Sequence, residues 1–363
     1  MQKKASSKKQ HSQRRQVQHV ASDLQLKATT INDVARLSGV SKKTVSRVIN
    51  EAPFVKLETR HRVEEVIRKM SYKPNPQARG LAFRKSFLIG LIYDNPNAEY
   101  VMNCLEGALE ALRDSGFELI VHPCNRRSPE FLAGVKNFVE RQKLHGVIML
   151  PPISENLAVL KILADRQCPH VSIASVKMET ATYRVVSNDR DACAEAVEHL
   201  VDLGHARIAI ITGPESHSSA NERLGGFVEG LTRRGMAVPP EYIVKGGYTF
   251  ESGIEAAESL LSLPSRPTAI FASNDEMAAG VYEAAHRAGI DIPEQLSVVG
   301  FDDSPIASRI WPPLTTIRLP IRSTAQLAVT KLVSSPTDFE SQDTAFVVAH
   351  LVVRKSTQAL VTR

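Results

Sequence analysis

From Phe87 onward the chain alternates between short apolar runs and helical stretches of about a dozen residues, and this alternation constrains its fold more than any other feature. FLIGLIY from Phe87, FELIVH from Phe117, GVIML from Gly146 and HVSIA from His170 form one set of strand-like runs. RIAIITG from Arg207, TAIFAS from Thr268 and LSVVGFD from Leu296 form a second set. Strands separated by helices pair in parallel, joined by right-handed crossovers. Two such sets predict an α/β core of two lobes. A small ligand would bind in the gap between them, near the carboxyl ends of strands.

The chain ahead of Phe87 has a different character. Thr30 to Met70 reads as three short helices. Ile31, Val34 and Ala35 line one face of the first, and Gly39 breaks it. Ser41 is a good N-cap for the second, in which Val45, Val48 and Ile49 fall on one side. The third runs from Leu57 to Met70, with Val63, Val66, Ile67 and Met70 at i, i+3, i+4, i+7 spacing. The linker SYKPNPQARGLAFRKS follows, where Pro74 and Pro76 stop a continuing helix. Residues 1–28 are basic, polar and without hydrophobic periodicity, and are expected to be a disordered tail. That tail either adds non-specific phosphate attraction or merely solubilises the chain.

Charge divides along the same line. Residues 1–86 hold 20 Lys and Arg against 6 Asp and Glu, a balance of +14. The remaining 277 residues hold 25 bases and 33 acids, a balance of −8. This asymmetry points to a polyanion partner for the N-terminal part alone. The second helix carries Lys42, Lys43, Ser46, Arg47 and Asn50 opposite its apolar side, which are groups suited to base edges and phosphates in a major groove. A solvated basic face on a small helical domain is the bland alternative.

Other classes find less support. Cys104, Cys124, Cys168 and Cys193 form no CxxC pair and have no His at zinc-finger spacing, so they read as buried thiols in a reducing compartment. The first 30 residues lack an apolar stretch of the secretory kind, and no run approaches the roughly 18 apolar residues of a membrane span. A cytoplasmic location and no membrane partner are therefore expected. No GxSxG, HExxH, P-loop or GxGxxG sequence occurs, which argues against an enzyme. A transport receptor would explain the lobes but not Thr30 to Leu81.

The segment TINDVARLSGVSKKTVSRVIN, Thr30 to Asn50, closely resembles the helix-turn-helix of the LacI-type family of bacterial regulators, with Ser38 in place of the usual Ala and Ile49 in place of Leu. The resemblance implies that Lys42, Lys43 and Arg47 face bases, while Thr30, Ser41, Thr44 and Asn50 approach phosphates. YKPNPQARGLAFRKS resembles the family hinge. Ala78 and Leu81 match its minor-groove helix, with Leu81 as a wedge at the central base step. The implied organisation is a helix-turn-helix domain over 29–75, a hinge over 76–86 and a periplasmic-binding-protein-like core over 87–363. One lobe of that core comprises 87–187 and 318–345, the other 188–317 and 346–363.

HLVDLGHARIAIITGP, ERLGGF, SNDEMAAGV, LSVVGFDDSPIA, PPLTTIRLP and LVVRKST resemble landmarks of the family core, in order. By that resemblance Asp302, Asn274 and Arg223 bind effector, with Asp94 and Ser219 at further pocket positions and Tyr248 as an aromatic wall. Asp275 and Asp303 read instead as caps, Asn188 and Asp189 as caps of a helix in the second lobe, and His199 and His205 as packing or helix-end residues. Two departures bear on the ligand. Ala174 and Ser175 stand where family members often have Asp, and the first-strand loop reads YDNPNAEY. A sugar or sugar derivative is the expected effector and a nucleoside or purine the alternative. No metal or cofactor is expected. The implied partners are a pseudo-palindromic DNA operator and a second copy of the chain, with no heptad tail to build a tetramer.

Overall fold

The computed structural model describes residues 29–49, 52, 54–72, 86–174, 183–334 and 343–360. The predicted tail, Asn50, Ala78, Leu81 and Ser175 lie outside these residues. The chain divides into two compact units, Met1–Arg79 and Gly80–Arg363.

Among its described residues the first unit has the helices α1 Ile31–Ser38, α2 Lys42–Ile49 and α3 Leu57–Lys69. Thr30 caps α1 through a capping box with Asp33, and Gly39 ends it at φ 66°, a left-handed conformation that glycine adopts without strain. Ser41 caps α2, its Oγ accepting the Thr44 N–H at 3.1 Å. Val34, Ala35, Val45, Val48 and Val63 form the buried centre. Each fully buried valine contributes about 1.5 kcal/mol or more. Ser38, the departure from the family pattern, is buried and donates its hydroxyl to the Val34 carbonyl at 2.6 Å, so the extra oxygen is satisfied.

The second unit contains two six-stranded sheets. The first has β1 Leu88–Tyr93, β2 Glu118–Pro123, β3 Gly146–Met149, β4 His170–Ala174, β5 Tyr183–Ser187 and β11 Asp343–Val347, ordered β11-β5-β4-β3-β1-β2. The second has β6 Ile208–Thr212, β7 Ile243–Lys245, β8 Ala269–Ala272, β9 Ser297–Asp302, β10 Thr315–Arg318 and β12 His350–Val352, ordered β12-β10-β9-β8-β6-β7. All pairings are parallel except β10 with β12. The seven strand-like runs of the sequence are β1–β4, β6, β8 and β9.

Both lobes wind alike. Each sheet reverses direction between its first and third strands in sequence, β1/β3 and β6/β8. The loops leaving β1 and β6 therefore sit at topological switch points, where α/β sheets bind ligands. Helices cover both faces. On the first lobe these are α4 Ala98–Leu112, α5 Phe131–Gln142, α6 Leu157–Asp165 and α12 Ile321–Ser334. On the second they are α7 Asp189–Asp202, α8 Ser218–Arg233, α9 Phe250–Leu261 and α10 Asp275–Arg287, with the short α11 Pro305–Arg309. Interior strands such as β3, β4, β6 and β8 are buried along their whole length.

The chain crosses between lobes at Asn188, at Leu319–Pro320 and at Val348–Ala349. Because β10 keeps Arg318 in the second sheet and β11 reaches Val347 in the first, these crossings fall slightly later than the boundaries expected at 318 and 346. Asn188 was expected to cap α7 but makes no cap bond. Its amide instead accepts the Ala349 N–H at 2.6 Å and donates to the Ala349 carbonyl at 3.3 Å, tying two crossings together.

Candidate functional site

On α2 the sequence pattern becomes a surface. Val45 and Val48 face inward, while Lys42, Lys43 and Arg47 are exposed. Thr30, Ser41 and Thr44 occupy helix N-termini: the Thr30 hydroxyl donates to Asp33 at 2.7 Å, and the Ser41 and Thr44 hydroxyls lie 2.9 Å apart. These caps fix where each helix begins and therefore where the cationic face is presented.

In the second unit, one cleft lies between the lobes. Ser219, Arg223, Tyr248, Asn274 and Asp302 line it on the second lobe, joined by His217. Asn95, Asn97, Tyr100, Pro151 and Ala174 are among those lining it on the first. Five of the six expected effector positions therefore come together. Asp94 is the exception. Its carboxylate accepts both the backbone N–H and the Nε–H of Arg126, each at 3.0 Å, and does not line the cleft. Asn95 and Asn97, from the same loop, line it instead.

Arg223 organises the second lobe's wall. Its Nε donates to Asp189 at 2.9 Å and its Nη1 to the Ser273 carbonyl at 2.5 Å, while Nη2 lies 3.9 Å from Asp302. The guanidinium rests 3.5 Å from the Phe301 ring centroid. Burial works against its charge, but the Asp189 and Asp302 carboxylates outweigh it and raise its pKa. Asp189, expected only to cap α7, is thus the buried counterion of Arg223 and also accepts the Ser187 hydroxyl.

Asp302 ends β9 at φ 111° and Asp303 follows at φ 54°. Consecutive left-handed non-glycine residues are strained, at about 1–3 kcal/mol each, and surrounding contacts must hold them. Asn97 of the other lobe donates to Asp302 at 3.2 Å, and Arg318 and Arg354 both bind Asp303. Burial pushes the Asp302 carboxyl up to about 7, with Arg223 and Asn97 pulling against that rise and Asp189 adding to it. Asn274 caps α10, accepting the Met277 N–H at 2.9 Å and donating to the Tyr248 carbonyl at 3.1 Å. Asp275 reaches forward rather than capping its own helix: it accepts the Ser304 N–H at 2.7 Å and the Thr316 hydroxyl at 2.6 Å.

A second contact bridges the lobes. Glu155, in the 3-10 turn Ile153–Glu155 of the first lobe, accepts the Ser218 N–H at 3.2 Å and the Ser218 hydroxyl at 2.7 Å at the start of α8. A carboxylate at a helix N-terminus is favourably placed. His199 and His205 pack as expected, His199 against Thr357 and His205 between Thr268 and Ser297.

Sequence reasoning missed His217, Asn97, Tyr100 and the Asp189 counterion. His217 stands two residues before Ser219 and Asn97 three after Asp94, so their only signal is proximity to positions already singled out. Among the described residues no group of His, Cys, Asp and Glu is placed to hold a metal, and no helix is long and apolar enough to cross a membrane.

Residues 30–75 match the family described as bacterial regulatory proteins, lacI family, and residues 197–357 match a periplasmic binding protein-like domain. The chain is 32% identical to the probable HTH-type transcriptional repressor ExuR of Bacillus subtilis over 340 residues, covering 90% of this chain and 99% of that protein. It is 32% identical to the ribose operon repressor of Escherichia coli over 314 residues, covering 84% and 92%. Among solved structures it is similar to the lac repressor dimer bound to operator and an anti-inducer, with a TM-score of 0.75 and 30% identity over 92% of this chain and all of that one.

Proposed function

Since the chain belongs to the lacI family of bacterial regulatory proteins and is a DNA-binding transcriptional regulator, we propose that it represses as a homodimer on a pseudo-palindromic operator, controlled by a sugar or sugar derivative held between its lobes. The observation that carries this reading is the cleft itself, in which groups of both lobes converge and already touch through Asn97 and Asp302. A ligand bridging the two walls binds the closed lobes better than the open ones and shifts that equilibrium. The three chain crossings pass the change on. The similarity to a ribose operon repressor supports a sugar as effector. The similarity to an operator-bound dimer supports two copies on one site. Met102 and Leu109, seven residues apart on one face of α4, are exposed apolar side chains of the kind a partner subunit covers.

Selection of binding sites from random duplexes by the purified chain, followed by footprinting, tests this. A symmetric site with a perturbed central step is expected. An asymmetric single site would contradict the dimeric reading.

A further inference from the structure

Polar side chains around the cleft are largely matched to one another. Arg223 is held by Asp189 and the Ser273 carbonyl, and Asn274 by Met277 and Tyr248. Asn97 is held by Tyr100 and Asp302, and Asn95 by Pro151. Such matching fixes the shape of the walls and leaves these groups less free to recognise a ligand.

His217 breaks the pattern. It immediately precedes α8, is 4% exposed and lines the cleft. Its ring meets Tyr248 edge-on with centroids 5.5 Å apart, and its Nδ1 lies 3.4 Å from the Ser216 hydroxyl. Its Nε2 is buried with no hydrogen-bond partner. A buried polar nitrogen left unpaired is costly, so this one is a place where a ligand atom is worth most.

Building on the reading of this cleft as the effector site, we propose that His217 selects the effector, its Nε2 hydrogen-bonding a hydroxyl of a neutral polyhydroxylated ligand and disfavouring sugar acids and sugar phosphates. A hydroxyl both donates and accepts, so it satisfies Nε2 in either tautomer. The nearby cations already have carboxylate partners. Arg223 is already flanked by Asp189 and Asp302, and Arg126 by Asp94, so neither cation is left with uncompensated charge. Burial is the main cause that disfavours the imidazolium, with the charge of Arg126 adding to it, Asp94 opposing and Arg223 contributing least, and the ring is neutral near pH 7. The other wall offers apolar contacts from Pro151, Ile173 and Ala174 rather than countercharge.

The test is isothermal titration of wild type, His217→Phe and His217→Asn with D-ribose, D-glucose, D-galacturonate and D-glucose 6-phosphate. Wild type should bind a neutral sugar more tightly than either anion. His217→Phe should weaken that sugar by about tenfold or more, the loss expected for one buried hydrogen bond. His217→Asn, which keeps a donor and an acceptor, should retain most of the affinity. A melting curve confirms that each variant folds. A second reading needs no variant: in wild type the affinity for the neutral sugar should hold from pH 7 down to about 5 and fall only as pH approaches about 4, where the ring protonates in the folded protein. Neutral-sugar binding that survives His217→Phe undiminished, or tighter binding of either anion, overturns the assignment alone. Failure of wild type to bind any of these compounds overturns the sugar reading of the cleft and this assignment with it.

Discussion

Asp189 has no exposed side-chain surface, and Arg223 is its counterion. Arg223→Met should therefore destabilise the core by about 3–5 kcal/mol, because a buried carboxylate loses its counterion. Urea unfolding measures this, and replacing both residues together, Asp189→Leu with Arg223→Met, should recover much of the loss. His217 gives a pH signature. Its folded pKa of about 4 lies below the ordinary histidine value, so between the two the unfolded chain binds more protons. Stability from this residue is fully present above about pH 6.5 and is lost as pH falls toward 4, by on the order of 2 kcal/mol. Asp302 acts oppositely: its carboxyl is raised to about 7, so its contribution is fully present below about pH 3.9 and is lost as pH rises through 7. Comparing wild type with His217→Asn across this range isolates the histidine, and identical profiles would contradict its buried, neutral state. Arg223, Asn274 and Asp302 were legible as cleft positions because they lie inside recognisable motifs. Asp94 was misread because its partner Arg126 is 32 residues away, and no local pattern announces that contact.

Capping and close packing decide where elements begin and how they meet. Thr30→Ala removes the side-chain half of the α1 capping box, leaving the backbone N–H of residue 30 to donate to Asp33, and should cost the first unit about 0.5–2 kcal/mol in thermal unfolding. A smaller loss would mean that α1 is fixed by packing alone. Gly300 in β9 has no room for a side chain: an added Cβ would stand 2.3 Å from the Asp275 carboxylate and 2.8 Å from Leu314. Gly300→Ala should cost about 1–3 kcal/mol through overpacking. The seven apolar runs announced their strands, whereas β5, β7, β10, β11 and β12 went unseen. β7 and β12 are three residues long, and β10 reads TTIR, whose buried threonines are satisfied because Asp275 accepts the Thr316 hydroxyl while the Thr315 hydroxyl pairs with Thr357 and accepts the Arg354 N–H. That satisfaction comes from tertiary neighbours, so a hydrophobic pattern could not carry it.

For the whole molecule, the split between a basic N-terminal part and an acidic core matches a division of labour. The first unit presents Lys42, Lys43 and Arg47, while the core builds a cleft with balanced internal charge. Arg47→Ala should relax base preference at one position of each half-site by about 1–3 kcal/mol, read as altered selection from random duplexes. Among the described residues, contacts of Asn97 with Asp302 and of Glu155 with Ser218 join the two lobes. Control by a ligand requires that closing the cleft and binding DNA be one coupled equilibrium, and such couplings typically amount to about 5- to 150-fold in affinity. Fluorescence anisotropy of the selected duplex, titrated with the protein alone and with millimolar D-ribose, D-glucose, cellobiose or adenosine, measures that coupling directly. A change in operator affinity of at least about fivefold with one of these ligands, abolished by Arg223→Met in a folded dimer, is the predicted result. Operator affinity unmoved by a ligand that binds the wild-type cleft would contradict the account.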